Sequence, residues 1–175
     1  MTSETGLVQR ARRGDASAFD ALIGPCIEPA WRFAATILCD PEEARDVVQE
    51  AALKAYRMLD QLRDGSAVQP WFFAIVRNQC RSLRRSRWWT VVRLAEPQGQ
   101  SAGPEDEAVR ALDLRRALVR LGRDDRMALY LFYYLDLPQG DVAQVMGTTT
   151  AAVKVRLHRA VRRLRPALEV EENRA

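Results

Sequence analysis

Apolar residues in this chain recur every three or four positions, and nowhere do they alternate in twos with β-branched enrichment over a strand's length. The pattern predicts an all-α protein. Its clearest helix opens at Asp40-Pro41-Glu42-Glu43, where Asp40 can cap the first turn, Pro41 suits the first helical position and Glu43 completes a capping box. It reaches about Leu59, with Ala44, Val48, Ala51, Ala55 and Leu59 as its apolar stripe. Another face carries Asp46, Gln49, Glu50 and Leu53 at i, i+3, i+4 and i+7. A loop over 62–69 then leads to Pro70, which starts a helix through about Arg87. Phe72, Ile75, Val76, Gln79 and Leu83 share one side of it, and Arg77, Arg81 and Arg84 line the opposite side. Upstream, residues 15–38 give one or two more helices, broken or kinked at Pro25 and Pro29.

Over 89–107 the periodicity stops. "EPQGQSAGPEDE" is rich in Gly, Pro, Ser and Gln and reads as a flexible linker. Helices resume at the acidic turn Pro104-Glu105-Asp106-Glu107, followed by Leu114, Leu118 and Leu121 at core spacing and a second helix over roughly 123–134. The expected division is therefore a domain over 1–88, a linker, and a second small helical domain over 108–175.

Charge sharpens this outline. The chain has 175 residues and a formal net charge of only +4, but the charge is unevenly placed. No carboxylate lies between Asp64 and Glu96, a stretch holding Arg77, Arg81, Arg84, Arg85, Arg87 and Arg93. None lies between Asp141 and Glu169 either, where Lys154, Arg156, Arg159, Arg162, Arg163 and Arg165 stand. Like charges on one helix repel, and two such blocks in one small protein point to a polyanion.

The second block sits inside "LPQGDVAQVMGTTTAAVKVRLHRAVRRL". Pro138 begins a short helix with Val142, Ala143 and Met146 inward; Gly147 supplies a permissive turn; a Thr at 148–150 caps the next helix. In that helix Val153, Leu157, Ala160, Val161 and Leu164 point inward, and Pro166 is expected to end it. Small residue, Gly turn, capped second helix and single apolar stripe describe a helix-turn-helix. A charged helix face is commonly just solvated, but this context and the missing acids favour DNA. Entering a major groove N-terminus first, the helix would present Thr149, Ala152, Lys154, Val155, His158 and Arg159. Lys154 and Arg159 can reach guanine edges or phosphates, and Val155 a thymine methyl.

"DPEEARDVVQEAALKAYRMLDQL" with "PWFFAIVRNQCRSLRRSR" resembles conserved region 2 of bacterial sigma factors, and the helix-turn-helix resembles their region 4. Short length, two domains and a featureless linker are similar to the extracytoplasmic-function (group IV) members. The resemblance implies a subunit that brings RNA polymerase to promoters and helps open DNA. It implies core-polymerase binding, through the β′ coiled-coil, by Asp46, Gln49, Glu50 and Leu53, and a further contact to the β flap. It implies minus-ten recognition by Asp64 and Ser66 of the 62–69 loop and by Trp71, Arg77, Asn78, Arg81 and Arg84, with Lys54 neutralising a phosphate. Flipped bases suit aromatic stacking, amide hydrogen bonds and a basic track, although Trp71 would serve equally as core. Minus-thirty-five recognition would fall to Thr149, Ala152, Lys154, Val155, His158 and Arg159. An anti-sigma factor is a further implied partner. The chain departs from the family's usual pattern at Ala74, Arg81, Thr149 and Ala151, and Pro25 and Pro29 interrupt a region that is normally continuous helix.

Other classes find less support. A free-standing regulator with a ligand-sensing or dimerising N-terminal half would bind a palindromic operator. An enzyme would need a phosphate loop, a metal cluster or a nucleophile–base set, and the sequence offers one His and none of these motifs. Cys26, Cys39 and Cys80 are widely spaced and odd in number, which suits small buried fillers rather than disulfides or zinc. No cofactor or metal is expected. With no leader pattern and no apolar run of spanning length, a cytoplasmic protein without membrane insertion is expected.

Overall fold

The structure is a computed structural model describing residues 4–62, 67–90, 117–118 and 120–172, with the backbone alone described at 86–90 and 166–172. Its described residues are helices and their connections, without strands, so the all-α expectation holds. The chain divides into two compact units, Met1–Ala95 with Gln144–Gly147, and Glu96–Ala143 with Thr148–Ala175.

The first unit contains α1 (Glu4–Arg12), α2 (Ala16–Leu38), α3 (Pro41–Arg57), a 3-10 turn (Leu59–Gln61) and α4 (Val68–Thr90). Helix α2 packs against α1, α3 and α4, and α3 also packs against α4. The contact is aromatic at its centre. Phe33 of α2 and Phe72 and Phe73 of α4 are fully buried. The Phe33 and Phe73 rings lie 5.4 Å apart, and Phe72 meets Phe73 edge-on at 6.3 Å. The stripe read from the sequence of α3 is the buried one, with Ala44, Val48, Ala51 and Ala55 inward together with Val47, and Leu59 buried just beyond. Asp40 accepts from the amides of Glu42 and Glu43, so the expected cap is made.

Of the alternatives the sequence left open for α2, the structure has one helix and no break at the prolines, Pro25 and Pro29. A proline costs its own N–H bond and crowds the residue before it. Here residue 24 is a glycine, whose missing Cβ removes most of that crowding, and the Pro25 ring lies on the exposed side. Leu22, Ile23, Cys26, Ala30 and Phe33 remain buried on the other side, and that packing favours a continuous helix. Helix α1 was not foreseen at all. It is tied down by long-range bonds: Arg12 donates to the carbonyls of Leu59 and Leu62, and Glu4 accepts from the amide of Val68 at 3.1 Å.

The second unit contains α5 (Arg123–Leu129), a π-helical turn (Tyr130–Tyr134), α6 (Gln139–Met146) as far as Ala143, and α7 (Thr150–Glu172). Ala117, Leu118 and Arg120 are helical ahead of α5. Helices α5 and α7 pack together. Leu121, Ala160 and Leu164 form a buried cluster with Ala117, Leu118 and Leu129 against it. Gly147 has φ +57°, so the turn between α6 and α7 does need the left-handed region that glycine enters freely. Thr149 caps α7 through Oγ1, which accepts from Ala152 N–H at 3.2 Å. Contrary to expectation Pro166 does not end α7, whose backbone stays helical to Glu172. The residues after it, Ala167-Leu168-Glu169-Val170-Glu171-Glu172, are mostly strong helix formers, and propagation beyond a single defect is favourable. The first two residues of the expected 89–107 linker are the helical end of α4, and the rest of it, with the acidic turn, falls in the 91–116 segment outside the described residues.

Candidate nucleic-acid and polymerase interfaces

On α3 the side chains of Asp46, Gln49, Glu50 and Leu53 are all exposed on one face, opposite the buried stripe. Leu53 is 53 % exposed and Tyr56, one turn on, 46 %. An apolar spot flanked by carboxylates and an amide suits a partner surface of basic and apolar character. Lys54 is also exposed on this helix.

On α4 the helical period places Trp71, Ala74, Asn78 and Arg81 along one line, with Arg77 and Arg84 beside it. Trp71 is half-buried, Asn78, Arg81 and Arg84 are exposed, and Arg77 is half-buried. Ala74 leaves a short side chain between Trp71 and Asn78. Asp64 and Ser66 lie outside the described residues.

Helix α7 separates its basic residues onto two faces. Lys154, Val155, His158 and Arg162 are exposed, and Val155 is 63 % exposed. Thr149 and Ala152 stand at the N-terminal end, where Thr149 is engaged as the cap. The other face, Arg156, Arg159 and Arg163, turns to the first turn of α5. Arg156 Nη1 donates to Asp124 at 2.8 Å. Arg159 holds Asp125 with both arms of its fork, Nε at 2.9 Å and Nη2 at 2.5 Å. Arg163 Nη1 is 3.8 Å from the same carboxylate. Asp125 is the buried charged residue among the described residues, 2 % exposed. Its carboxylate raises the Arg159 pKa further above its ordinary value, chiefly by hydrogen bonding. The first turn of a helix favours such an anion. Part of the negative charge that α7 requires is thus supplied within the unit, an arrangement the sequence reading missed. The available signal was Arg156, Arg159 and Arg163 at i, i+3 and i+7 with an acidic pair earlier in the chain.

No group of three or more potential metal ligands occurs among the described residues. No described helix is long and apolar enough to cross a membrane.

The comparisons agree with this architecture. Residues 22–90 match the family model of Sigma-70 region 2, and residues 111–164 match that of Sigma-70, region 4. The chain is 33% identical over 171 residues to ECF RNA polymerase sigma factor SigL of Mycobacterium tuberculosis, covering 93% of this chain and 95% of that protein. It is 32% identical over 184 residues to RNA polymerase sigma-H factor of Pseudomonas aeruginosa, covering 93% and 92%. The structure resembles that of the sigma factor RpoE solved in complex with the anti-sigma factor NepR from Bartonella quintana, with TM-score 0.73, 26% identity, and 87% and 97% of the two chains covered. The two region matches, in order along the chain, define a sigma-70-type transcription initiation factor. Within that class, the chain belongs to the extracytoplasmic-function (ECF) sigma factors.

Proposed function

We propose that this ECF sigma factor divides promoter work between its two units. The first, over 1–88, docks on core polymerase and opens the minus-ten region. The second, over 108–175, reads the minus-thirty-five element and meets the β flap. The observation that carries the reading is the match to both sigma regions, in order, within a likeness spanning nearly the whole chain. On α3, Asp46, Gln49, Glu50 and Leu53 form the surface for the β′ coiled-coil. On α4, Trp71, Arg77, Asn78, Arg81 and Arg84 hold the melted strand by stacking, amide contacts and charge, helped by Lys54 and by Asp64 and Ser66 before the helix. On α7, Thr149, Ala152, Lys154, Val155 and His158 face the major groove, with Lys154 the base-reading cation. The protein acts in the cytoplasm, performs no covalent chemistry of its own, and is held inactive by a dedicated anti-sigma factor. That partner is suggested by the NepR complex of the structurally similar RpoE.

Docking is tested by reversing charge on α3. Asp46→Lys with Glu50→Lys should abolish co-purification with core polymerase while circular dichroism stays unchanged, because both side chains are exposed and support nothing in the core. A folded double variant that still co-purifies would remove these residues from the interface.

A further inference from the structure

Arg159 lies among the residues that would face DNA, yet its guanidinium is already committed. Nε and one arm of Nη2 are taken by Asp125, a carboxylate 2 % exposed and set in the first turn of α5. A guanidinium has five N–H donors in a rigid plane. With two fixed by a buried acid, the plane cannot rotate, and the edge left over is Nη1 with the remaining Nη2 hydrogen. The Arg159 side chain is 42 % exposed, so the pair with Asp125 does not enclose it. Arg163 stands 3.8 Å from the same carboxylate, so one negative charge serves two positive ones and the locality stays positive. A side chain pinned in this way is poorly suited to follow the edges of different bases. It is well suited to a phosphate, which is the same at every step of the duplex.

We infer that Asp125 is a positioning residue that makes Arg159 a fixed phosphate anchor and withholds it from base readout, leaving discrimination on α7 to Lys154, Val155 and His158. This rests on the reading of α7 as the promoter helix and refines it. Two basic classes then coexist on one helix. Lys154, exposed, reads the sequence; Arg159, clamped, sets the depth and register at which the helix sits.

The test uses the full-length protein in holoenzyme with core polymerase. Selection from a randomised upstream element is combined with binding measured across a salt series. Arg159→Lys keeps the charge opposite Asp125 and loses the fork; Arg159→Gln keeps a donor for Asp125 and loses the charge. Arg159→Lys should return the wild-type motif. Arg159→Gln should also return that motif, bind all sequences more weakly by a similar factor, and lower the salt slope by about 1. Asp125→Asn, which removes the charge and one of the two acceptor oxygens and so loosens the guanidinium, should add or alter a base preference at one position, and adding Arg159→Gln should remove the change. A new base preference in Arg159→Lys, an unchanged slope in Arg159→Gln, or a wild-type motif and slope in Asp125→Asn would each overturn the inference. These outcomes are separable from failure of the promoter reading, in which the wild-type holoenzyme selects no upstream motif and both fall together.

Discussion

Single residues here show how a side chain's surroundings fix its chemistry. Asp15, the N-cap of α2, accepts from the Ser17 hydroxyl at 2.6 Å, from the Arg10 guanidinium at 2.7 and 2.9 Å, and from Ala18 N–H at 3.1 Å. These donors favour the charged form and draw its pKa down to about 2, with Ser17 the leading cause. The folded value lies below the ordinary carboxyl value, so the cap's contribution is intact above roughly pH 4 and is lost as pH falls through about 2. A carbon-13 titration of Asp15 should show that low midpoint, and Ser17→Ala should move it upward; a midpoint near 4 in the wild type would contradict the bonding. The cysteines divide in the same way. Burial pushes the Cys26 thiol up to about 11 and Cys80 up to about 12, whereas Cys39 is exposed. At neutral pH a thiol reagent should label Cys39 alone in the folded protein, and labelling of Cys80 at a comparable rate, read by mass spectrometry, would refute its burial. The sequence suggested buried fillers for all three. Cys39 escapes because it ends α2 in the left-handed conformation, at φ 59°, and turns outward. The Arg159–Asp125 pair was missed for a related reason: 34 residues separate the partners, and the spacing of the arginines on α7 does not say which acid they meet.

At the scale of elements, the signals that worked were short-range. Asp40 and Pro41 mark the start of α3, Gly147 and Thr149 mark the turn into α7, and the three-to-four spacing sorts buried from exposed on α3. The prolines misled as helix breakers. Pro25, Pro29 and Pro166 all lie inside helices, because packing and neighbouring residues override a local defect. Helix α1 was missed because its mean hydropathy is low and its anchors, Glu4 to Val68 and Arg12 to Leu59 and Leu62, are tertiary. The account of Pro25 makes a prediction. In a Pro25→Ala background, Gly24→Ala should stabilise the protein by ~1 kcal/mol, the ordinary advantage of alanine within a helix. With Pro25 present the gain should shrink or reverse, because the added Cβ meets the proline ring. Otherwise the site is open, with nothing else within 4 Å of that position. Chemical denaturation of the four proteins gives the coupling, and strict additivity would mean that Gly24 does not accommodate the proline.

For the whole molecule, the modest net charge of +4 conceals a division of labour. The first unit shows an acidic and amide face on α3 and a basic track on α4; the second shows a helix whose arginines are partly neutralised from within by Asp124 and Asp125. Both basic blocks and the order of the two units were legible in the sequence. The internal compensation was not, so the unpaired charge offered to DNA was overestimated. A protein built this way should select promoters through polymerase and not alone. The most direct measurement is initiation in vitro from a genomic promoter library, with the protein and core polymerase supplied together and each supplied separately. Together they should start transcription at a defined set of sites that share two elements of unlike sequence at fixed spacing, and neither alone should do so. A palindromic site bound tightly by the protein without polymerase, with no specific initiation from the mixture, would contradict the account.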